Sequence, residues 1–308
     1  MNTDVAVFVK SKSVFDELKK EAEKKDFVLH LNPELPRFFE DHFVICDVEN
    51  LVAEEGLQDI DRSLLYLLSD RSNEENVRLL EKYKLKHIVG HNPDTYCTEL
   101  ISHLAKTEQG QIWGVQHYLE SDAAIKVLSL SDSKFTNEMV KDALSHFDFK
   151  GYFNSPLEYL QVMANELISN SLYKGPNRRR ESQGLTSPDR KTPVFLKGAD
   201  MVQVTLAMDS KGVALSVQDS FGGLSYDILV ASLKRSFEEK TPMDKKDGAG
   251  LGLYLTFLHS NQFIVNFREN FRTEVICIIE RNKRYKNYKE RIRSFHFFQE
   301  VPSEKTHD

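Results

Sequence analysis

The chain has 308 residues, of which 40% are hydrophobic and 29% are charged, a balance typical of globular proteins. This length is sufficient for two domains of ordinary size. Lysine and arginine total 41 against 47 acidic residues, so the net charge is −6, which disfavours a general nucleic-acid-binding role because such a role needs a strongly basic surface.

The cysteines and the first residues of the chain bear on its cellular location. Cys46, Cys97 and Cys277 are too few and too far apart for a disulfide framework or a metal knuckle, and buried structural thiols are favoured. Residues 1–4 lack the basic-then-apolar pattern of a signal peptide, and no apolar run approaches the length of a membrane span. We therefore expect a cytoplasmic protein that is not bound to a membrane.

The first third of the chain alternates short apolar runs with charge-rich amphipathic stretches. The apolar runs have strand length and cover 5–9, 27–31, 42–46, 64–68 and 87–89. Helical spacing of apolar residues predicts helices over 12–25 and 73–84. Strands that alternate with helices predict an α/β domain with a doubly wound parallel sheet of about five strands. We place this domain at 1–118.

The remainder of the chain has a different pattern. Residues 119–152 are interpreted as a helical connector, and 283–308 as a charged, helical tail. Between them, 153–282 has the pattern of an α+β domain, an antiparallel sheet backed by helices. Its first helix begins at Pro156, with Ser155 as the N-cap. The predicted elements are helices over 156–173, from 226 and over 250–260, and strands over 201–208, 213–218, 263–268 and 273–280.

Glu166 and Asn170 are the first candidate site residues of this domain. They are four residues apart on the predicted helix, so their side chains lie one turn apart on one face. Taken alone, the pair also fits a solvated helix face or a capping pair.

Asp219 is the second candidate. It ends an apolar strand and is followed closely by Gly222 and Gly223. This order places a carboxylate acceptor at the edge of the sheet, beside backbone that a flat ligand can approach closely. An ordinary strand-to-helix turn has the same pattern.

A glycine-rich segment that opens a predicted helix is the third candidate. Gly248, Gly250 and Gly252 would expose the free backbone N–H groups of a helix N-terminus, which bind phosphate well. The segment is not a P-loop, since no Gly-Lys-Ser/Thr follows, and it lacks the preceding strand of a dinucleotide fingerprint.

In their order and spacing, these three segments resemble the N, G1 and G2 boxes of the ATP-binding superfamily that includes gyrase, the heat-shock ATPases, histidine kinases and the MutL repair proteins. The resemblance covers roughly 156–280 and extends to Phe237, where histidine kinases carry a phenylalanine box. It implies ATP and Mg²⁺ as cofactors, with Asn170 holding Mg²⁺ and Asp219 accepting the adenine amino hydrogen. It also implies a lid over 236–248 and assigns to nucleotide binding Gly223, Gly248, Gly250, Leu251 and Gly252.

Two residues depart from the pattern of this superfamily. Phe221 occupies the position of the first G1 glycine, which predicts a narrower adenine pocket. Glu166 stands where most histidine kinases carry asparagine, whereas gyrase-like ATPases and anti-sigma-factor serine kinases carry glutamate. A glutamate one turn from the Mg²⁺ ligand can act as a general base on water or on a serine hydroxyl. Glu166 is therefore the predicted catalytic residue.

The amino-terminal domain resembles a response-regulator receiver in the order and length of its elements. Asp47 ends the third strand, where the phosphoryl acceptor of that family lies. The loop at 10–13 is basic, however, and His91 follows the fifth strand where the family has a lysine. Without carboxylates to hold Mg²⁺, phosphoryl transfer loses its main charge stabilisation. We therefore interpret the domain as a degenerate receiver that contacts a signalling protein partner.

The sequence thus predicts an ATP-binding signal-transduction protein that hydrolyses ATP or phosphorylates a separate protein partner. One alternative is an orthodox two-component histidine kinase. His146 is the best placed of the ten histidines for that role, although a capping or helix-surface role is favoured because no acidic residue follows it in the required position. Another alternative is a catalytically silent module switched by nucleotide. A homodimer is compatible with each.

Overall fold

The computed structural model describes residues 3–33, 42–53, 55–132, 134, 136–153, 156–177, 194–238 and 251–300. Within these residues the chain is a mixed α/β protein with eleven strands and nine α-helices. It divides into two units. Unit 1 comprises Met1–Ile112 and Arg291–His296, and unit 2 comprises Trp113–Glu290 and Phe297–Asp308.

Unit 1 is built on a parallel sheet. Its strands are β1 (Thr3–Phe8), β2 (Phe27–Leu31), β3 (Phe43–Asp47), β4 (Leu65–Ser69) and β5 (His87–Gly90). They are parallel in the order β2-β1-β3-β4-β5, which is the order of flavodoxin-like doubly wound sheets. The helices are α1 (Lys12–Ala22), α2 (Val48–Ala53), α3 (Asn73–Tyr83) and α4 (Tyr96–Gln109). Apolar side chains of β1 and β3, such as Val7 and Ile45, share one core with Leu18 of α1 and Leu104 of α4.

The residues at the two ends of α3 explain why the helix forms at this position. The Ser72 side chain accepts a hydrogen bond from the Glu75 N–H, and the Glu75 carboxylate accepts one from the Ser72 N–H at 3.0 Å. This capping box satisfies two donors at the N-terminus. The helix ends at Lys84, whose φ of 55° breaks the helical path. The amphipathic helix predicted over 73–84 therefore agrees closely with the observed bounds.

Unit 1 also contains a strand that the sequence analysis missed. Residues 294–299 lie in the predicted charged tail but form β11 (Ser294–Gln299), of which Phe295 and His296 pair antiparallel with β5. Asn92 fixes the preceding segment: its Nδ2 donates to Ile292 O at 2.9 Å, and its Oδ1 accepts from Ile292 N at 3.1 Å. Local periodicity did not reveal this strand because its partners lie about two hundred residues earlier in the sequence. Within the described part of the tail, the α-helix is α9 (Tyr285–Glu290) of unit 2.

Unit 2 is built on an antiparallel sheet. Its strands are β6 (Ala124–Leu130), β7 (Val202–Met208), β8 (Gly212–Asp219), β9 (Gln262–Arg268) and β10 (Arg272–Glu280), in the order β9-β10-β8-β7-β6. Besides α9, its helices are α5 (Thr136–Leu144), α6 (Pro156–Ser169), α7 (Tyr226–Glu238) and α8 (Leu251–His259). The helices α6 and α8 contact each other and the sheet through buried side chains that include Leu167 and Phe257.

The strand β6 is a second difference from the sequence analysis. It lies in the stretch interpreted as a helical connector, yet it pairs with β7 along its whole length, from Ala124 opposite Met208 to Leu130 opposite Val202. The pairing partner is far away in the sequence, so local periodicity did not reveal the strand. Only α5 retains the helical character expected for this stretch.

Several expectations concern residues outside the described ranges. These are the N-cap at Ser155, the glycines Gly248 and Gly250, and most of the proposed lid. Of the features expected from composition, Cys46 and Cys277 are buried as anticipated, whereas Cys97 is half-buried. No helix within the described ranges combines the length and the apolar character that crossing a membrane requires.

Candidate functional site

Unit 2 contains a cavity between the face of its sheet and the helices α6, α7 and α8. Its empty volume is about 580 Å³, including the space open to solvent. Apolar side chains form most of its wall: Leu167, Val217, Leu224, Ile228, Leu253 and Val275. The wall of the cavity is therefore mostly apolar, and its polar groups are described next.

Asn170 lines this cavity from the turn that follows α6. Residues 170–174 form a π-helical turn, a feature that is rare and frequent at functional sites. The wide turn brings Ser171, Lys174 and Gly175 to the cavity as well. The Asn170 Nδ2 is buried and has no hydrogen-bond partner among the described residues. A buried amide without a partner is costly, and a ligand oxygen would satisfy it; a 180° rotation would present Oδ1 to a cation instead.

Asp219 lines the same cavity from the end of β8. Its side chain is buried, with 8% of the residue exposed. Oδ1 accepts the Phe221 N–H at 2.9 Å, and Oδ2 accepts from the Ser171 hydroxyl at 3.3 Å. The two hydrogen bonds fix the carboxylate between the π-helical turn and the sheet. Two sequence candidates that are far apart in the chain, Asn170 and Asp219, are thus brought to one cavity.

Thr273 is a polar residue of the cavity that the sequence analysis missed. It lies directly opposite Asp219 in the β8–β10 register and is 2% exposed. Its Oγ1 is buried and has no hydrogen-bond partner within the described part of the chain. In the sequence, a threonine at the start of a predicted strand gives no indication that it belongs to a site. Only the pairing of β8 with β10 places it beside the Asp219 carboxylate.

The glycines after Asp219 have separate roles. Gly222 has a φ of 58°, and a Cβ there would lie 2.2 Å from Arg268 O, so this turn requires glycine for close packing against the β9–β10 hairpin. Gly223 lines the cavity, as the sequence predicted. Phe221 is 5% exposed and rests on Gly175, where a Cβ would lie 2.6 Å from its ring. Phe221 is not among the residues that line the cavity, and the narrower adenine pocket stays a prediction.

Glu166 lies beside the cavity wall, against the first turn of α8. A Cβ on Gly252 would be 1.8 Å from Glu166 Oε2, so the absence of a side chain at 252 lets the carboxylate reach the backbone of α8. Leu251 begins this helix and is 40% exposed. Leu253 of the same turn lines the cavity, whereas Glu166 itself does not. The carboxylate therefore stands against the α8 backbone at Gly252, next to the pocket rather than inside it.

Phe237 stands at the end of α7 and meets Tyr254 of α8. The two ring centroids are 4.7 Å apart, with an edge-to-face angle of 75°. Such a pair contributes on the order of 1 kcal/mol beyond area burial. It holds the last turn of α7, where the stretch that the resemblance assigns to the lid begins, against α8.

His146 and Asp47, the two candidate phosphoacceptors, have structural contacts. His146 is exposed, and its Nδ1 is 2.9 Å from the carbonyl oxygen of Asp142, so it lies at the C-terminal end of α5. Asp47 accepts N–H donors of Lys10 and Asn50, both at 2.8 Å, and the second of these caps α2. The basic loop at 10–13 therefore starts beside the Asp47 carboxylate, as the receiver-like order of elements suggested.

In comparisons with known proteins, no protein-family model and no curated protein sequence matched this chain. The functional argument therefore depends on the residues and their geometry.

Proposed function

We propose that unit 2 binds ATP with Mg²⁺. The γ-phosphoryl group of ATP is then transferred to water or to a hydroxyl of a protein partner. The observation that carries this proposal is that Asn170, Asp219 and Gly223 line one cavity, beside the helix N-terminus that Glu166 contacts. The signalling role, with a protein partner recognised by unit 1, is part of the same proposal and depends on the receiver-like order of its elements.

The end of the cavity near β8 and β10 suits an adenine ring. An ionised Asp219 only accepts hydrogen bonds, so it favours a ring that presents an amino group over one that presents a carbonyl oxygen. The Thr273 hydroxyl lies opposite and lacks a partner within the described ranges, so it can bond a ring nitrogen. The apolar walls supply the stacking surface. This set of groups would discriminate adenine from guanine.

The residues that follow α6 suit the phosphates and their metal. Asn170 can present its amide oxygen to Mg²⁺, which prefers few protein ligands and keeps several waters. Lys174 of the π-helical turn contributes a positive charge to the cavity wall. The N-terminus of α8, together with Gly252, attracts anions through its free N–H groups. The buried, unpartnered Asn170 amide is the observation in this structure that fits such a ligand.

Glu166 would act as the general base for this reaction. Its carboxylate lies at the N-terminus of α8, where the phosphate chain of the ligand would end. From there it can remove the proton of an attacking water or hydroxyl as its oxygen bonds to the γ-phosphorus. The bond between the γ-phosphorus and the β,γ-bridging oxygen then breaks, and ADP leaves. No covalent intermediate is required in this scheme, because positioning and charge stabilisation account for most of phosphoryl-transfer catalysis.

Calorimetric titration with ATP and GTP, each with Mg²⁺, tests nucleotide binding. We expect ATP to bind about 10- to 100-fold more tightly than GTP, since hydrogen bonds to a charged group contribute about 1.5–3 kcal/mol. Asp219→Asn should remove this preference, and Asp122→Asn, which alters an exposed residue of unit 2, should leave it unchanged. Equal binding of ATP and GTP to the wild-type protein would contradict the assignment of Asp219.

Incubation with γ-labelled ATP then distinguishes the possible fates of the phosphoryl group. Free phosphate or a labelled serine on a partner supports the proposal, whereas labelled phosphohistidine would support an orthodox histidine kinase. Tight binding of ATP without any phosphoryl transfer would favour the alternative of a catalytically silent module switched by nucleotide.

A further inference from the structure

Unit 1 buries a polar cluster that the proposed nucleotide site does not use. The cluster consists of Glu99 and His103, one turn apart on α4, and His296 of β11, which we call the α4–β11 cluster. These residues are 6%, 1% and 0% exposed, respectively. Each offers one donor atom, and the three atoms lie within 4.8 Å of one another. Two imidazoles and a carboxylate converge here although they come from segments 197 residues apart.

The distances in the α4–β11 cluster approach those of a metal site. The Nε2 of His296 is 3.3 Å from Glu99 Oε1, and the His103 and His296 ring centroids are 3.8 Å apart. Zinc bonds of about 2.0–2.2 Å to nitrogen and oxygen in a tetrahedron put neighbouring donors about 3.3 Å apart. One donor pair therefore already has the required spacing.

The second carboxylate oxygen gives independent support. Glu99 Oε2 is buried and has no hydrogen-bond partner among the described residues. A buried carboxylate oxygen beside two imidazoles is costly unless a proton or a cation neutralises it.

The surroundings of His296 also fit a ligand role. Its second ring nitrogen, Nδ1, lies 3.3 Å from Nδ1 of His87, which stacks on Tyr66 with a centroid distance of 4.3 Å. A proton on the His296 Nδ1 that is donated to His87 would fix the ring tautomer, as second-sphere partners of metal-bound histidines do. The buried Lys106 ammonium exerts a Coulombic effect on both Glu99 and His296. It donates a hydrogen bond to the Ser102 carbonyl oxygen at 3.3 Å.

We propose that Glu99, His103 and His296 bind a divalent transition-metal ion, zinc in preference, and so join β11 to α4. Imidazole and carboxylate donors suit zinc, and all three residues are buried. The metal would link two segments of unit 1 that are far apart in the sequence, so its binding would contribute directly to the stability of that unit. This inference is independent of the proposed nucleotide site.

Metal titration of the chelator-treated full-length protein tests the site. We expect one zinc ion per chain by intact mass under non-denaturing conditions, and an increase in the melting temperature with added zinc. Glu99→Gln and His296→Gln should each weaken zinc binding by at least about 100-fold, since each removes a ligand and loss of an outer partner alone costs about 10- to 100-fold. His146→Gln, which alters an exposed histidine, is the matched control and should bind as the wild type does.

Cobalt substitution in the wild-type protein keeps the proposal testable if the variants do not fold. Tetrahedral cobalt with nitrogen and oxygen ligands should give visible d–d bands without the near-ultraviolet charge-transfer band of a thiolate. A thiolate band would locate the metal at a cysteine and overturn the proposal. Absence of stoichiometric zinc, or zinc binding unchanged in both ligand variants, would overturn it as well.

Discussion

Glu166 occupies the space that a side chain at Gly252 would fill, so the two residues must be considered together. We expect Glu166→Gln to lower ATP turnover by about 10²- to 10⁴-fold, the usual contribution of a positioned base, while ATP affinity changes little. Phosphate release and partner labelling measure the first effect, and calorimetry measures the second. Glu158→Gln changes an exposed glutamate on the same helix and is the control.

Unchanged turnover in Glu166→Gln would remove both the hydrolase and the serine-kinase interpretations. A histidine acceptor needs no such base, so His146 would then have to be tested as an acceptor.

Gly252→Ala should impair turnover through the same carboxylate. The new methyl group would lie 1.8 Å from Glu166 Oε2, so the carboxylate must move away from the N-terminus of α8. Turnover should fall, and the double variant with Glu166→Gln should lose little more, because the two changes act on one group. Alanine favours helices by up to about 1 kcal/mol over glycine, so urea unfolding should show no loss of stability. If the losses of turnover in the two single variants add in the double variant, the two residues act independently, and this prediction is wrong.

Asp47 ends the third strand, where a receiver has its phosphoacceptor, but the loop beside it lacks the carboxylates that would hold Mg²⁺. Its carboxylate accepts backbone N–H groups of Lys10 and Asn50, and the adjoining loop at 10–13 carries two lysines. We expect no phosphorylation of the protein by acetyl phosphate with Mg²⁺, since nearby positive charges repel the metal. Intact-mass measurement provides the test. A mass increase of one phosphoryl group that disappears in Asp47→Ala would contradict this prediction.

At the scale of elements, α3 gives a stability prediction with a defined pH dependence. The Ser72 hydrogen bonds lower the pKa of Glu75, so its stabilising contribution is present above the unfolded-state pKa and is lost as pH falls through the folded-state value. Ser72→Ala should therefore lower the free energy of unfolding by about 1 kcal/mol at pH 7, and by less at pH 3. Urea unfolding at both pH values tests this, with Ser72→Thr as the variant that retains a cap. An equal loss at both values would argue against the capping box.

Most elements of both units could be predicted from the sequence. The bounds of α1, α3, β7 and β8 follow from apolar spacing and turn residues that act within a few positions. The hairpin between β7 and β8 shows the reason: the Asp209 carboxylate accepts the N–H groups of Lys211 and Gly212, so the turn signal lies within four residues. The π-helical turn at 170–174, in contrast, has no comparable signal in the local pattern.

At the scale of the whole chain, the two proposed ligands bind different units. With Mg·ATP, amide hydrogen exchange should slow around 170–175, 217–223 and 273–275 of unit 2, whereas zinc should slow exchange around 99–103 and 294–296 of unit 1. Each ligand stabilises the native state by RT ln(1 + [L]/Kd), about 2.7 kcal/mol at 100-fold excess over Kd. Mass spectrometry of peptic fragments locates the effect. Slowing by Mg·ATP in unit 1 alone would place the nucleotide outside the cavity.

The sequence by itself determined the local elements and the set of residues that resembles an ATP site, because helical periodicity, caps and turn chemistry act over a few residues. It also singled out Asn170, Asp219 and Gly223, which line the same cavity. Only the tertiary structure decided that β6 pairs with β7, that Thr273 faces Asp219, and that His296 meets Glu99. Such contacts join segments tens to hundreds of residues apart. Their choice depends on which surfaces are buried together when the whole chain folds, and no local pattern carries that information.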